Sequence, residues 1–350
     1  MMCTIRYMWV VFLCVHSFLC SRQQRIAVVI PSYNNAKWCQ ENLRSVLAQT
    51  YENYYVMYTS DCSTDGMDEI IENFLARNDH EKRVTFVKNK VRRGALYNLY
   101  RMIHQCDDDD IVLTLDGDDM FAHEHVLEKI NEVYAAGDIW LTYGQFKFLN
   151  SDATGWTCPM PEDVVRTNTF REFSHMPSHL RTFKAWLFKE IRLKDLLYLG
   201  DFYLMTWDMV MMLPMIEMAG ERHQFIADIL YLYNDSNPLS DHMISRQLQA
   251  YLGKVVRAVK RYERMAQKPI RKKKEQFQAT VMIFSDGDIK KTALTLKSVY
   301  GYVSGFDKVI VLYTGDLSRK NEIAYHALQK NFPLVQYRAT NYENFSENFV

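Results

Sequence analysis

Three carboxylates crowd the stretch LTLDGDD, where Asp116, Asp118 and Asp119 follow a strand-like apolar run and are interrupted only by Gly117. Residues two apart in an extended chain point the same way, so Asp116 and Asp118 project to one side as the strand ends. Like charges at that spacing repel. A shared proton or a hard divalent cation relieves them. Ligation by oxygen alone suits Mn2+ or Mg2+, and one or two carboxylates leave coordination positions open for diphosphate oxygens. An Asp-Gly turn on its own serves equally well as a solvated surface turn, so the surrounding elements must decide.

Those elements alternate. RIAVVI (25–30), YYVMYTS (54–60), RVTFVKN (83–89) and IVLTLD (111–116) read as strands, separated by amphipathic helices over 36–50, 67–78 and 94–106. In the first helix Cys39, Leu43, Val46 and Leu47 share a face, and Asn34 and Asn35 suit its cap. Near-continuous apolar strands alternating with helices predict an α/β fold with a mostly parallel sheet covered on both faces. Ligands in such sheets sit at the carboxyl ends of the strands. The loops at those ends read PSYNN, SDCSTDG and DGDD, and all three are polar and turn-prone. The CDDDD run at 106–110, at the other end of the fourth strand, reads as solvated surface.

Further along, 139–148 and 225–234 read as strands, 206–220 as a nearly all-apolar helix, and 245–267 as an amphipathic helix with Leu248, Leu252, Val255, Val259 and Tyr262 as its stripe. KPIRKKKE then reads as a solvated basic linker, with contact to an anionic surface as the alternative. A strand-helix pattern restarts at 279, carrying a second acidic turn, FSDGD. The predicted organisation is a segment over 1–21, a main domain over 22–236, a helix and linker over 237–276, and a partial second α/β unit over 277–350. That last unit is small for burying both sheet faces, so it is expected to dock on the main domain or to continue beyond this sequence.

Lys plus Arg and Asp plus Glu are equal at 42 each, so no global field favours nucleic acid. Seven cysteines show no CxxC pairing, which argues against a zinc site and leaves buried free thiols as the expectation. Tyr7 to Cys20 form an apolar run after Arg6, short for a bilayer span, so residues 1–21 read as a signal peptide or a membrane anchor. Either would place the protein in the secretory pathway or at a membrane; without one the expectation is cytoplasmic.

The order VVIPSYNN, then YTSDCSTDGM, then LTLDGDD resembles a family-2 glycosyltransferase of the GT-A, nucleotide-diphospho-sugar transferase fold, over about residues 25 to 235. The resemblance implies that Pro31 and Tyr33 shape a nucleoside pocket and that Asp61 accepts hydrogen bonds from the base. Arg93 matches a basic position near the nucleotide. Asp116 would hold ribose or metal, and Asp118 would be the main metal contact with Asp119 supporting. It also implies an acid at the start of a later helix as catalytic base, which here is Asp208 among Trp207, Met209, Val210 and Met211. Apolar neighbours favour a strong base, although a helix cap would also select Asp. His175, His179 and His242 lie in loops, and His179 with Arg181 is read as a contact to diphosphate or acceptor. Asp286 and Asp288 of FSDGD follow the first strand of their own unit, so by position they are not metal ligands.

The expected activity is metal-dependent, inverting transfer of one sugar from a nucleotide-diphosphate sugar, a UDP-sugar by preference, to a hydroxyl of a glycan, lipid or protein. The Gln-x-x-Arg-Trp signature of the processive members is absent, which favours single transfer over chain synthesis. A sugar nucleotidyltransferase would need a Gly-rich basic loop where PSYNN stands. A catalytically dead binding or scaffold domain is disfavoured by the intact Asp61, Asp116, Asp118 and Asp208.

Overall fold

The computed structural model describes residues 23–174, 177–270, 280–285, 288–302 and 308–313, with a few shorter stretches up to residue 339. It divides between Lys268 and Pro269 into two units. The segment 1–21, His175 and Asp286 lie outside the described residues. No described helix is long and apolar enough to cross a membrane.

In the first unit β1 (Ile26–Ser32), α1 (Cys39–Leu47), β2 (Tyr54–Ser60), α2 (Met67–Asn78), β3 (Val84–Lys88), α3 (Ala95–Ile103) and β4 (Ile111–Thr114) alternate as the apolar pattern demands. After them come β5 (Met120–Phe121), α4 (Val126–Ala136), β6 (Leu141–Phe148), α5 (Glu162–Thr167), β7 (Arg181–Lys184) and α6 (Ala185–Lys189). The short pair β8 (Leu197–Tyr198) and β9 (Asp201–Phe202) precedes α7 (Trp207–Ala219), β10 (His223–Tyr233) and α8 (Asp241–Ala258). One eight-stranded sheet runs β3-β2-β1-β4-β7-β6-β10-β5.

The first four of those strands are parallel, as the sequence predicts, and so are β6 and β10. Between the two groups lies β7, antiparallel to both neighbours. Every residue of β1 and β4 is buried, which accounts for their unbroken apolar runs. The inner faces of the strands pack with Leu43, Val46, Ile71 and Ile130 into a single core.

Three local readings differ from the structure. Asn34 and Asn35 do not cap α1: Asn34 Oδ1 accepts the N–H of Thr64 at 2.8 Å, and the Asn35 side chain bonds Ser32. Both asparagines stitch the loops at the strand ends together. The acidic run before β4 is not solvated throughout. Asp110 is 3% exposed and accepts from Arg25 (2.7 and 3.0 Å), the Tyr55 hydroxyl (2.7 Å) and the Asp107 N–H (2.9 Å). The amphipathic helix starts at Asp241 and stops at Ala258, well short of residue 267. Beyond it the chain is held against α7 instead, with Tyr262 N–H on Glu217 (3.0 Å) and Met265 N–H on the Met218 carbonyl (2.9 Å). Those fixed bonds outweigh the local helix propensity.

In the second unit β11 (Thr280–Ser285), β12 (Lys308–Tyr313) and β13 (Val335–Ala339) form a parallel sheet, with α9 (Ile289–Tyr302) following β11. Asp288 Oδ1 accepts the N–H groups of Lys290 and Lys291 at 2.9 and 3.1 Å, so this carboxylate caps α9. The second acidic turn is thus accounted for, at Asp288, by helix capping. Of the four thiols in the described residues, Cys39 and Cys106 are buried and Cys62 and Cys158 half-buried; all are free.

Candidate functional site

The acidic turn after β4 is clamped from below. Asn42, buried on α1, donates through Nδ2 to the carbonyls of Asp116 (2.9 Å) and Asp119 (2.7 Å). A Cβ on Gly117 would stand 2.3 Å from Ser32 Oγ and 2.9 Å from Asn35 Nδ2, so only glycine lets the turn approach the β1 loop.

The three carboxylates then diverge. Asp119 turns inward, where Oδ2 accepts the Tyr231 hydroxyl and Oδ1 the Asn234 N–H, each at 2.6 Å. Burial first, then Asp118 and Asp116, hold it well above the usual carboxylate range. Asp118 accepts from Asn237 Nδ2 at 2.5 Å, and Asn237 also donates to Asn35 at 3.2 Å. Asp116 is raised to about 7, by burial above all, with Asp118, Asp208 and Asp241 adding and Arg181 opposing. Asp116 and Asp119 therefore hold their protons more tightly than free carboxylates, chiefly because burial disfavours their charge.

That donor set fits a hard cation. Ligand atoms of Asp116, Asp119 and His179 lie within 4.8 Å of one another. Two facts weaken two of the three. Asp119 already bonds Tyr231 and Asn234. His179 Nε2 lies 3.1 Å from Arg181 Nη2, and an arginine only donates. The single proton of the neutral ring then sits on Nδ1, leaving neither nitrogen a lone pair for a metal. Burial and Arg181 keep that ring neutral by pushing its pKa well down. Asp118, which the resemblance makes the main metal contact, is not one of the three, and its Oδ2 already accepts from Asn237.

On the other side of β1, Asp61 is 3% exposed and both its oxygens are engaged. They accept the N–H groups of Arg93 (2.9 and 3.1 Å) and Gly94 (2.7 Å) and the Asn89 amide (2.9 Å). Asp61 thus fixes the loop that leads into α3. Pro31 is buried at the end of β1. The half-buried Tyr33 ring carries the Arg92 guanidinium 3.9 Å from its centroid, and Arg93 lies over Tyr97 at 5.4 Å. Arg92 therefore meets Tyr33, while Arg93 meets Tyr97.

Asp208 lies in the first turn of α7 but is not its cap; that position is Thr206, in a left-handed conformation. Asp208 Oδ1 accepts the Met209 N–H at 2.8 Å, and Oδ2 stands 3.5 Å from Arg181 Nη2. The anticipated apolar wall is thus partly a guanidinium. Asp241, at the start of α8, accepts the Thr206 N–H at 3.1 Å and is raised to about 6, mainly by burial, with Asp208 adding. Two helix starts with one acid each converge here. His242 lies in α8. The reading of the sequence missed Asn42, Tyr231, Asn237 and Asp241. Only Asp241, directly after Ser240 at a helix start, carried a local signal, and that signal reads as capping.

Residues 27–189 match the model of "Glycosyl transferase family 2". An uncharacterized glycosyltransferase of Rickettsia bellii is 30% identical over 180 residues, which are 46% of this chain and 25% of the relative. The glycosyltransferase GlyG of Streptococcus pneumoniae is 27% identical over 121 residues, 35% of this chain and 38% of that protein. This chain thus spans well under half the length of these curated relatives. A crystal structure of S. aureus TarS 1–349 with UDP-GlcNAc superposes with a TM-score of 0.48 at 16% identity, covering 67% of this chain and 65% of that one. Residues 27–189 thus resemble family 2 glycosyl transferases, and the sheet to which they contribute is mostly parallel and flanked by helices.

Proposed function

We propose that this protein transfers a single sugar from a nucleotide-diphosphate sugar, a UDP-sugar by preference, to an acceptor hydroxyl with inversion at the anomeric carbon. The observation that carries the proposal is that one buried cation, Arg181, stands 3.5 Å from Asp208 and also acts on the charge of Asp116, which comes from an element far away in sequence.

Asp208 takes the proton of the acceptor hydroxyl as that oxygen forms its bond to the anomeric carbon. The bond from that carbon to the diphosphate breaks on the opposite face, and its electron pair leaves with the diphosphate. A divalent cation, Mn2+ or Mg2+, held by Asp116 and Asp118 supplies neutralising charge for that leaving group when bound. Pro31, Tyr33 and Arg92 with Arg93 border the nucleoside side, where Asp61 acts by holding the 89–94 loop in place. Arg181 and His179 line the diphosphate or acceptor side. The acceptor is a glycan, lipid or protein hydroxyl, and residues 1–21 act as a signal or membrane anchor in this reading.

The test is UDP release from a panel of UDP-sugars with and without Mn2+. Metal-stimulated release is expected, abolished in Asp208→Asn. No metal-dependent turnover with any donor, together with no UDP binding, overturns the reading. Mass spectrometry of the mature N-terminus decides the fate of residues 1–21.

A further inference from the structure

Arg181 and Arg171 are both buried arginines, yet their surroundings differ in a way that separates structural from functional use. Arg171 is satisfied. Its Nε and Nη2 reach the two oxygens of Glu217 at 2.6 and 2.9 Å, and its Nη1 reaches the Val256 carbonyl at 2.5 Å. Arg181 is 3% exposed, and among the described residues Nη2 meets His179 Nε2 at 3.1 Å and Asp208 Oδ2 at 3.5 Å. Its Nε and Nη1 have no partner among the described residues. Burying a guanidinium with unused N–H groups is costly, so its retention calls for a use beyond the fold.

Its position follows from topology. Because β7 runs antiparallel to β4, its first residue stands at the end where β4 finishes, and Arg181 pairs in register with Thr114, two residues before Asp116. The guanidinium also lies 5.0 Å from the centroid of Trp207, the chain neighbour of Asp208, so the α7 terminus is gripped at two adjacent side chains.

We propose that Arg181 is a positioning residue for the transfer step: it orients the Asp208 carboxylate toward the acceptor hydroxyl and fixes the neutral His179 ring beside the Asp116 end of the site. This rests on the assignment of Asp208 as base. A planar, permanently charged fork suits the task, since it cannot take the proton that Asp208 must accept and its orientation is locked by Trp207. Lysine, a point charge on a flexible stem, would supply the charge without the geometry.

A double-mutant cycle tests this on the full chain. Arg181→Ala, Arg181→Lys, Asp208→Asn and Arg181→Ala/Asp208→Asn are compared for sugar transfer with Mn2+, and for UDP binding by calorimetry. Arg181→Ala is expected to lower kcat by about 100-fold, the scale of a mis-set catalytic geometry, with UDP affinity held within about threefold, since Asp208 and not the nucleotide is its target. Arg181→Lys should recover little, and guanidinium ion at millimolar concentration should restore part of the alanine variant's rate. The double variant should be no slower than Asp208→Asn, because a residue acting through another adds nothing once that other is gone. Additive losses overturn the proposal. So does a fall in UDP affinity that accounts for the whole loss, which would make Arg181 a diphosphate ligand only. If Arg181→Ala does not fold, the lysine variant decides on the same criteria, near-wild-type kcat counting against the proposal. Wild-type turnover in Asp208→Asn would instead remove the base assignment itself, a distinguishable failure.

Discussion

The Tyr231 hydroxyl donates to Asp119 Oδ2 at 2.6 Å and accepts the Asp116 N–H at 3.3 Å, so one buried hydroxyl ties the two ends of the acidic turn together. Asp119 is 1% exposed, whereas Asp116 and Asp118 remain half-buried beside it. The turn therefore combines one fully buried carboxylate with two that are partly accessible.

Exchanging each acid for its amide should separate these roles. Asp118→Asn is expected to abolish Mn2+-stimulated turnover with little change in the urea midpoint. Asp119→Asn should place an amide N–H against a donor that needs an acceptor, costing about 1–3 kcal/mol of stability. Urea titrations and metal-dependence curves on both variants check this; equal stability losses would remove the distinction.

Asp241 makes stability depend on pH. Its carboxyl is raised from the ordinary aspartate value of 3.8 to about 6, chiefly because burial disfavours its charge. A carboxyl raised on folding holds its proton more tightly in the native state. Its contribution is full below pH ~4 and is lost as pH rises through about 6. The loss is on the order of 3 kcal/mol at most, the worth of some two pH units. Asp241→Asn should therefore be more stable than wild type at pH 8 and lose part of the downward slope between pH 4 and 6, as followed by thermal melts across that range.

Gly117 is held to its size. Gly117→Ala would drive a Cβ against Ser32 Oγ and Asn35, and both belong to the loop that also positions Asn237 and Asp118. The variant should lose about 1–3 kcal/mol, the usual cost of overpacking, and should bind Mn2+ more weakly. Ser32→Ala in the same chain should recover part of the stability by removing the nearest atom. No recovery would show that the crowding lies elsewhere.

What the sequence made legible follows from scale. Strands β1, β2 and β4 are almost wholly buried and advertise themselves as apolar runs, so the loops at their ends that carry Tyr33, Asp61, Asp116 and Asp118 could be placed. Strand β7 has four residues, Arg181–Lys184, with a charged residue at each end, and no periodicity marks it. Its burial comes from being inserted between β4 and β6, a relation between distant segments that no local window contains. Arg181 was noticed for its charge, but its placement at the Asp116 end depended on that insertion. Tyr231 and Asn237 stayed hidden for the same reason, since each reaches its carboxylate across more than a hundred residues of chain.

Glu217 links the helix that carries Asp208 to the scaffold behind it. It is wholly buried, accepts two bonds from Arg171 and one from the Tyr262 N–H, and so joins α7 to the segment after α5 and to the chain beyond α8. Replacing it by glutamine leaves the Arg171 charge buried without an anion, which costs about 3–5 kcal/mol, as breaking one side of a buried pair does. The desolvation cost of the pair itself predicts the complementary result. Arg171→Met together with Glu217→Leu should recover most of that loss, because neither charge then needs partners. Urea unfolding would show the single variant's midpoint falling at unchanged slope, and turnover per folded molecule should stay near wild type, since Glu217 lies in the last turns of α7, far along the helix from Asp208 in its first turn. A drop in kcat without a drop in stability would mean that the pair sets the angle of α7, and with it the aim of the base.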